Sequence, residues 1–331
     1  MATKKLIDNW GRPINYLRLA VTDRCNLRCF YCMPEEGINY LPKAHLLTYE
    51  EMERLVHIFC DLGIDKVRIT GGEPLIRRDV IPFLYRIKDT PGLKTINITT
   101  NGLLTEKYLS DLKKIGIKSV NLSLDTLDAE RFQQITRRNE FDKVYRTLNR
   151  LVEEGFDTKI NMVVMADKNT QDIVPMAALS IDKPISVRFI EEMPFNGSGE
   201  SSHPIPWDSN TIISALAKEF ALKKVEDPKN STASHYQIDG AQGNLGIIAA
   251  YTRTFCGSCN RIRLTAQGEL RTCLYANNGL DLRALLRSGK DDEAISTAII
   301  EAVNHRHKDG FEAEKSRANT SDWESMSTIG G

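Results

Sequence analysis

The sequence predicts an α/β fold built on a parallel β-sheet. Short β-rich segments alternate with helical segments over the first two thirds of the 331 residues. Six β/α units in a row are typical of a parallel sheet with helices packed outside it. Right-handed crossovers between the strands favour a curved sheet or an incomplete barrel. After about residue 225 the pattern changes, so we predict one unit at residues 1–225 and a second at residues 226–331.

The six units are assigned from strand-like composition and from helical periodicity between the strands. The predicted strands span residues 17–22, 66–72, 95–101, 119–125, 159–165 and 186–193. The predicted helices lie near residues 48–62, 79–89, 105–115, 128–136, 141–154 and 170–182. Thr48 and Glu51 form a capping box at the start of the first helix.

The C-terminal unit is predicted to mix strands and helices. A polar loop at 226–233 precedes strands at 236–238, 245–252, 261–265 and 270–275, with a hairpin turn at 265–269. Helices follow near 281–288 and 291–304. From Asp309 to the Gly330-Gly331 terminus the sequence predicts a polar tail.

The two faces of the predicted strands differ in character. Because side chains alternate faces along a strand, one face collects Val, Ile and Leu, and the other carries Arg18, Arg68, Lys159 and Arg188 among Thr and Asn residues. Parallel sheets are normally covered on both sides, and unpaired buried polar groups are costly. The polar face is therefore predicted to line a ligand-filled cavity.

Composition excludes several classes of protein. Lys and Arg together number 44, as do Asp and Glu, so the formal net charge is zero and a nucleic-acid-binding protein is not indicated. No apolar run approaches the length of a membrane span. The N-terminus does not read as a signal peptide, and unpaired cysteines suit a reducing compartment. We therefore expect a cytoplasmic protein without nucleic-acid or membrane partners.

Six of the seven cysteines form two triplets, Cys25, Cys29 and Cys32 (the first triplet) and Cys256, Cys259 and Cys273 (the second triplet). A structural zinc site normally has four ligands, whereas a cubane cluster held by three thiolates leaves one iron open to a small molecule. The first spacing favours a cluster. The second also occurs in zinc sites, so both interpretations stay open for it. Cys60 is predicted to be a buried residue of the helix at 48–62.

A glycine pair follows the second predicted strand, in Thr70-Gly71-Gly72-Glu73-Pro74. The carboxyl ends of parallel strands meet at one face of a barrel, so this segment is expected to lie beside the first triplet. Two glycines allow the backbone to approach a ligand closely. The Glu73 carboxylate could accept hydrogen bonds from an ammonium group.

With these residues and Tyr31, the sequence resembles the radical S-adenosylmethionine superfamily. The resemblance implies an incomplete (β/α)6 barrel with a C-terminal α+β extension covering the barrel mouth. It implies a [4Fe–4S] cluster on the first triplet, whose open iron binds the amino and carboxylate groups of S-adenosyl-L-methionine. Reductive cleavage would then give a 5′-deoxyadenosyl radical that abstracts hydrogen from a substrate.

The second triplet makes the resemblance more specific, because it matches one family within this superfamily. The run Cys256-x2-Cys259-Asn260-Arg261-Ile262-Arg263, with Cys273 and the Gly330-Gly331 end, is similar to the GTP 3′,8-cyclases of molybdenum cofactor biosynthesis, from about residue 16 onward. This resemblance implies a second [4Fe–4S] cluster that binds the purine of GTP. It implies that the radical takes the ribose 3′ hydrogen and that the 3′ carbon attacks guanine C8, giving (8S)-3′,8-cyclo-7,8-dihydroguanosine 5′-triphosphate.

The resemblance also implies particular ligand contacts. Those to S-adenosylmethionine fall on Tyr31, Gly72, Ser123 and Met193, and those to GTP fall on Arg18, Arg68, Thr99, Lys159, Arg261, Ile262 and Arg263. Because the sequence has no G-x4-G-K-[ST] loop, scattered cations must hold the phosphates, and arginine suits this role. The Gly-Gly tail is expected to reach into the active site. No catalytic side chain is assigned.

The expected partners are GTP as substrate, an electron donor such as a flavodoxin, and a downstream cyclic pyranopterin monophosphate synthase, with a homodimer as one assembly state. Two alternatives stand beside this interpretation. One is a radical S-adenosylmethionine enzyme that modifies a peptide with the help of an auxiliary cluster. The other is a zinc-stabilised binding module without catalysis.

Overall fold

The structure, a computed structural model, describes residues 5–195, 206–277, 279–317 and 324–330. Within these ranges, twelve strands form one sheet. The strands are β1 Tyr16–Ala20, β2 Lys66–Thr70, β3 Thr95–Thr100, β4 Ser119–Ser123, β5 Asp157–Val164, β6 Ser186–Glu191, β7 Leu222–Lys224, β8 Ala233–Ile238, β9 Asn244–Ile248, β10 Arg261–Leu264, β11 Glu269–Arg271 and β12 Leu280–Asp281. The helices are α1 Tyr49–Asp61, α2 Val80–Ile87, α3 Leu109–Ile115, α4 Ala129–Thr136, α5 Phe141–Glu153, α6 Ile173–Asp182, α7 Ser209–Glu219, α8 Leu282–Arg287, α9 Asp292–Asn304, α10 Gly310–Lys315 and α11 Met326–Ile329.

The centre of the sheet is the predicted run of β/α units. Strands β1 to β6 lie side by side in chain order and pair in parallel, with α1 to α6 in the connections between them. Each of these six predicted strands agrees with the observed one to within two residues at either end, whereas the predicted C-terminal strands differ by up to four residues. The residues predicted to end the second and fourth strands, such as Gly72 and Asp125, lie beyond the ladder and line the cavity described below.

The sheet of described residues is open. Strand β10 pairs in parallel with β1, and β9 pairs in parallel with β6, while β12 and β7 end the order at opposite edges. The predicted α/β class and incomplete barrel are confirmed. The C-terminal residues add strands at both edges of the sheet, and the expectation that they cover the barrel mouth stays a prediction. A domain division at residue 225 stays a prediction.

Local signals in the sequence explain the first helix and the hairpin. At α1 the Thr48 hydroxyl accepts from Glu51 N at 3.1 Å, and Thr48 N donates to the Glu51 carboxylate at 2.7 Å, which completes the predicted capping box. Strands β10 and β11 pair antiparallel around the predicted turn, where Gly268 N donates to Thr265 O at 2.9 Å.

The predicted polar tail from Asp309 is wrong for the residues that the structure describes there. Asp309 caps α10 by accepting from Phe311 N and Glu312 N, and α11 follows at residues 326–329. These helices have six and four residues, too short for a period of 3.6 to stand out in the sequence. Helix α7 and the short strands β7 and β12 were also not predicted.

The apolar face of the central strands packs against the helices. Leu17 and Ile69 lie in one buried cluster with α1 and α2, and Leu122 and Ile160 lie in another with α5 and α6. Cys60 is 2% exposed within the first cluster, as predicted. In the part of the chain that the structure describes, no helix has the length and apolar character needed to cross a membrane.

Candidate active site

A cavity of about 970 Å³ occupies the interior of the open barrel. The predicted polar face of the strands lines it, from Arg18 on β1 through Asn97 and Asn121 to Arg188 on β6. Loop residues 228–232 and the segments around both cysteine triplets complete the lining. The prediction that the polar face encloses a cavity is confirmed.

The two triplets lie at opposite ends of this cavity. The first triplet follows β1, so it lies at the carboxyl end of the parallel strands. Cys256 and Cys259 directly precede β10, which runs parallel to β1 and therefore begins at the other end. Cys273 follows β11, which is antiparallel to β10 and returns to the same end. Ligands bound in this one cavity can therefore reach the first triplet from one end and the second triplet from the other.

The first triplet fits a positively charged group. Burial raises the pKa of Cys25 to about 12 and that of Cys32 to about 11, and it raises the pKa of Cys29 well above its usual range. Thiolates in such a place need a cationic partner, and iron of a cluster supplies one. Cys25 Sγ also accepts from Leu27 N at 3.4 Å and from Asn101 Nδ2 at 3.7 Å. Hydrogen bonds of this kind are usual around cluster sulfurs.

Basic side chains lie beside the second triplet, although burial still raises the pKa of Cys256 and of Cys273. Burial raises the pKa of Cys259, but the charges of Arg306 and Arg261 outweigh it and bring that pKa below its ordinary value. Among the described residues, no group of three or more His, Cys, Asp or Glu side chains is placed to hold a single metal ion. In a cubane each thiolate binds a different iron, so the sulfurs need not converge on one point. The three thiolates fit a cluster.

The glycine pair after β2 packs directly on the loop that leads to Cys25. A Cβ on Gly72 would lie 2.3 Å from Arg24 O, and one on Gly71, whose φ is +152°, would lie 2.5 Å from Thr22 O. Gly72 N donates to Thr22 O at 2.9 Å, and Glu73 N donates to Arg24 O at 2.8 Å. Only glycine permits this approach, which fixes the loop that carries the first triplet.

Glu73 does not present its carboxylate to the cavity, contrary to the sequence interpretation. The side chain is fully buried, and it accepts from Asn101 N at 2.7 Å, Leu75 N at 3.1 Å and Thr100 Oγ1 at 2.9 Å. Burial raises its pKa to about 7 despite these bonds. The carboxylate instead ties the turn after β2 to the end of β3, because two donors from the end of β3 and one from its own turn already satisfy it.

The residues predicted to contact S-adenosylmethionine lie around the first triplet. Tyr31, Gly72, Ser123 and Met193 all line the cavity there. Tyr31 OH donates to Asp125 Oδ2 at 2.8 Å, and burial raises the pKa of Asp125 to about 6. This pair fixes the tyrosine ring between the first triplet and β4. Their roles as ligand contacts stay a prediction.

Among the basic side chains that line the cavity, seven lie on its central strands, and we call these seven the cation cluster: Arg18, Lys66, Arg68, Lys159, Arg188, Arg261 and Arg263. Burial and mutual repulsion lower the pKa of Arg188 and Arg263 to about 10 and that of Lys159 to about 7. Among the described residues, Arg188 Nε and Arg261 Nη1 are buried without a hydrogen-bond acceptor. Such a site fits a polyanion, which would supply the missing acceptors and counter-charge.

The sequence predicted most, but not all, of the residues in the cation cluster as GTP contacts. Thr99 lines the cavity and accepts from Arg68 Nη1 at 3.4 Å. The Ile262 side chain does not reach the cavity, because it lies on the opposite face of β10, fully buried in the apolar core. Lys66 and Arg188 were missing from the predicted contacts, although Arg188 was recognised on the polar face.

Tyr16 was also missed, since an aromatic residue at a strand start gives no signal of a charged neighbourhood. It lies beside Arg261 and Lys66 in the strand register. Its hydroxyl accepts from Arg68 Nε, and Lys66 Nζ lies 4.8 Å from the ring centroid. Burial raises the pKa of Tyr16, but Arg68, Arg18 and Lys66 outweigh it and lower that pKa to about 8.

The C-terminal segment enters the same cavity. Ser325 Oγ donates to Cys32 O at 2.6 Å, Met326 and Ser327 line the cavity, and Gly330 O accepts from Arg263 Nη1 at 2.7 Å. Gly330 thus contacts a side chain of the cation cluster, and a role of the tail in the active site stays a prediction. Gly331 lies outside the described residues.

Two known families match successive parts of the chain. Residues 19–179 match the Radical SAM superfamily, and residues 185–312 match Molybdenum Cofactor Synthesis C. The GTP 3′,8-cyclase of Heliobacterium modesticaldum is 42% identical over 302 residues, which cover 90% of this chain and 92% of that protein. The chain belongs to the GTP 3′,8-cyclase family. Members of the Radical SAM superfamily bind S-adenosylmethionine and a [4Fe–4S] cluster, so these are the cofactors of this chain.

Relatives in eukaryotes extend the family. The mitochondrial GTP 3′,8-cyclase of Arabidopsis thaliana is 41% identical over 304 residues, covering 91% of this chain and 77% of that protein. Molybdenum cofactor biosynthesis protein 1 of Homo sapiens is 41% identical over 304 residues, covering 92% of this chain and 48% of that protein. The chain therefore spans about half the length of the human relative.

Solved structures share the fold at low identity. SuiB of Streptococcus suis superimposes with a TM-score of 0.61 and 15% identity, covering 91% of this chain and 72% of that one. The same protein bound to S-adenosylmethionine gives a TM-score of 0.59 and 17% identity, covering 87% and 68%. This likeness establishes the fold alone.

Proposed function

We propose that this protein is a radical S-adenosylmethionine enzyme that cyclises GTP to 3′,8-cyclo-7,8-dihydroguanosine 5′-triphosphate in molybdenum cofactor biosynthesis. The observation that carries the proposal is one cavity with a cysteine triplet at each end and the cation cluster between them. A nucleoside triphosphate fits such a cavity, because its purine and its phosphates need different surroundings. Relatives named GTP 3′,8-cyclase support the same activity.

Different residues of the chain would act at the two ends of the cavity. When bound, the cluster of the first triplet and S-adenosylmethionine supply the radical that removes the ribose 3′ hydrogen. Arg18, Arg68 and Lys159 would bind the triphosphate, whose negative charge would offset the mutual repulsion of these buried cations. The Tyr31–Asp125 pair would hold the wall beside the first triplet in place. The loop at 228–232 would limit entry of water from the far end.

We propose further that the second triplet holds a second [4Fe–4S] cluster that binds the purine. Three thiolates leave one iron open for a ring atom of guanine. The surrounding cations offset the negative charge of a cluster with thiolate ligands. A zinc ion at this triplet is the competing occupant, and it would offer neither sulfide nor electron transfer.

We also propose two protein partners, an electron donor and an enzyme that consumes the product. A single-electron donor such as a flavodoxin would reduce the first cluster, and a cyclic pyranopterin monophosphate synthase would consume the product. A homodimer and a cytoplasmic location also stay proposals. The peptide-modifying alternative is not favoured, because relatives that align along most of this chain are named for GTP cyclisation.

The test is an anaerobic reaction of the reconstituted protein with GTP, S-adenosylmethionine and dithionite, followed by product mass analysis. GTP carrying deuterium at the ribose 3′ carbon should pass it to 5′-deoxyadenosine, whereas the matched substrate with deuterium at the 2′ carbon should not. About eight iron atoms and matching sulfide per chain are expected from two cubanes. Cleavage of S-adenosylmethionine without transfer from the 3′ position would refute the proposed reaction. Zinc without sulfide would refute the radical chemistry as a whole.

A further inference from the structure

A short N-terminal hairpin reaches the second triplet from the side. Leu6 N donates to Leu62 O at 3.0 Å, and Ile14 N donates to Leu6 O at 2.8 Å, while both side chains lie in the main apolar core. The hairpin turns at Gly11, whose φ is +76°. Its position is therefore fixed by core packing, and its polar residues face the segments around Cys256 and Cys259.

The centre of this contact is a buried carboxylate. The Asp8 side chain is 0% exposed, and its Oδ2 accepts from Arg12 Nε at 2.6 Å and from Arg306 Nη1 at 3.3 Å. Both arginines are almost fully buried, with 8% and 4% of their side chains exposed. One carboxylate thus holds two guanidinium groups, which leaves a net positive charge beside the second triplet.

The two arginines use their other donors differently. Arg12 donates to three backbone carbonyls, those of Cys256 at 3.0 Å, His307 at 2.8 Å and Lys308 at 2.6 Å. These bonds join the hairpin, the cysteine loop and the segment after α9. Arg12 therefore acts as a clamp on the backbone of the second triplet.

Arg306 bonds the backbone and also a sulfur. It donates to Cys259 O at 2.8 Å, to Arg261 O at 3.2 Å and, through Nη2, to Cys259 Sγ at 3.1 Å. Backbone N–H groups of Gly310, Arg261 and Tyr275 also act on the sulfurs of this triplet, and these donors are neutral. A charged donor at a buried sulfur stabilises added negative charge more than a neutral one does.

We propose that Arg306 is a positioning residue that sets the reduction potential of the second cluster. Held by Asp8, its guanidinium donates to the Cys259 sulfur and stabilises the reduced cluster, which raises the potential. The inference rests on the proposed function, in that the second triplet must hold a [4Fe–4S] cluster. Hydrogen bonds to sulfur and local charge are among the factors by which proteins tune such clusters.

The chain offers a matched control. Arg306→Gln and Arg12→Gln each remove one buried charge from the same carboxylate, but only Arg306 contacts a sulfur. Anaerobic redox titration of the full holoenzyme, followed by electron paramagnetic resonance, measures the midpoint potential. The signal of the second cluster is identified by its loss when Cys256, Cys259 and Cys273 are replaced with serine.

We expect Arg306→Gln to shift the second cluster to a more negative potential and to leave the first cluster unchanged. Arg306→Lys keeps the charge and should remain near the wild-type potential. Arg12→Gln should loosen the loop and lower cluster content, with a smaller shift in potential. If Arg306→Gln cannot retain its cluster, a wild-type potential in Arg306→Lys together with full cluster content still supports the role of the charge.

Equal potentials in wild type, Arg306→Gln and Arg12→Gln, with equal losses of cluster content, would overturn the inference and leave both arginines as structural clamps. That result would leave the proposed function intact, because the second cluster would still be present. A wild-type protein with only about four iron atoms per chain and no second signal would overturn the inference together with the proposed second cluster.

Discussion

The surroundings of individual side chains in the cation cluster favour binding of an anionic ligand. Lys159 is the clearest case. Its Nζ donates to Ser119 Oγ at 2.7 Å and lies against the Asp157 carboxylate, which is 58% exposed and therefore well screened by water. Burial, Arg188, Arg68 and Lys66 together lower the pKa of Lys159 to about 7. A bound triphosphate would favour the charged amine and raise that pKa.

The affinity for GTP should therefore fall as the pH rises above 7. In the free protein Lys159 loses its proton, so binding must take one up, at a cost of up to about tenfold in affinity per pH unit. The window is about pH 7.5 to 9, where a terminal phosphate with a pKa near 6 is already ionised. Calorimetry in buffers of different ionisation enthalpy should detect the proton uptake.

Lys159→Met should lose this part of the pH dependence, and Lys159→Arg should bind GTP with little change across the window. The comparison is best made in a Tyr16→Phe background, because the pKa of Tyr16, at about 8, falls in the same range. An unchanged pH dependence in Lys159→Met would show that the amine does not meet the phosphates.

At the scale of elements, the turn after β2 decides where the first triplet lies. Gly72→Ala would place a Cβ 2.3 Å from Arg24 O, so the loop before Cys25 must move. Overpacking of this kind costs about 1–3 kcal/mol. We expect a loss of first-cluster iron and at least a roughly tenfold fall in 5′-deoxyadenosine formation, measured by chromatography after incubation with S-adenosylmethionine and dithionite.

Gly155→Ala is the control, because Gly155 lies outside the residues that line the cavity and has nothing within 4 Å of its added Cβ. It should keep full iron content and activity. If Gly72→Ala behaves like Gly155→Ala, the close approach of the glycine pair does not position the first triplet.

The C-terminal element contacts the cavity on both sides of helix α11. Ser325, the residue before the helix, donates to Cys32 O, and the carbonyl of Gly330, the residue after it, accepts from Arg263. A Cβ on Gly330 would lie 2.9 Å from Ala20 Cβ, and its φ is +81°. Gly330→Ala, or deletion of Gly330 and Gly331, should reduce cyclisation far more than it reduces cluster content or thermal stability.

Gly289→Ala separates backbone strain from crowding in the cavity. Gly289 has a φ of +78° and nothing within 4 Å of its added Cβ, so it carries the conformational cost alone. Steady-state cyclisation at saturating GTP is the measurement. A Gly330→Ala enzyme as active as Gly289→Ala would show that the tail does not shape the active site.

In the whole molecule, the parallel strands hold the two triplets at opposite ends of one cavity. The two proposed tasks, radical formation and purine binding, are therefore separated in space. Serine at Cys25, Cys29 and Cys32 should abolish cleavage of S-adenosylmethionine, because a hydroxyl is a poor ligand for iron beside sulfide. Serine at Cys256, Cys259 and Cys273 should leave about half of the iron and some uncoupled cleavage, since each cubane holds about four iron atoms. This second variant should form no cyclised nucleotide. Mass analysis of both products checks the pair, and wild-type cyclisation without the second triplet would contradict the proposed division.

The sequence by itself determined the six-unit sheet, its polar interior and the placement of the first triplet. These follow from local rules: side chains alternate along a strand, and parallel strands present their carboxyl ends together. Arg18, Arg68 and Lys159 could be assigned to one cavity for that reason. The family was also predictable, because the cysteine spacing, the Gly-Gly-Glu-Pro segment and the Asn-Arg-Ile-Arg run are contiguous motifs.

Only the tertiary structure decided where the C-terminal residues lie relative to those motifs. It placed β10 beside β1 and so sent the second triplet to the far end of the cavity, turned Ile262 into the core and gave Glu73 a structural role. Asp8 and Arg306 meet although they are 298 positions apart. No local period or spacing encodes such a contact, because it forms only when separate elements pack and a buried charge needs a partner from elsewhere in the chain.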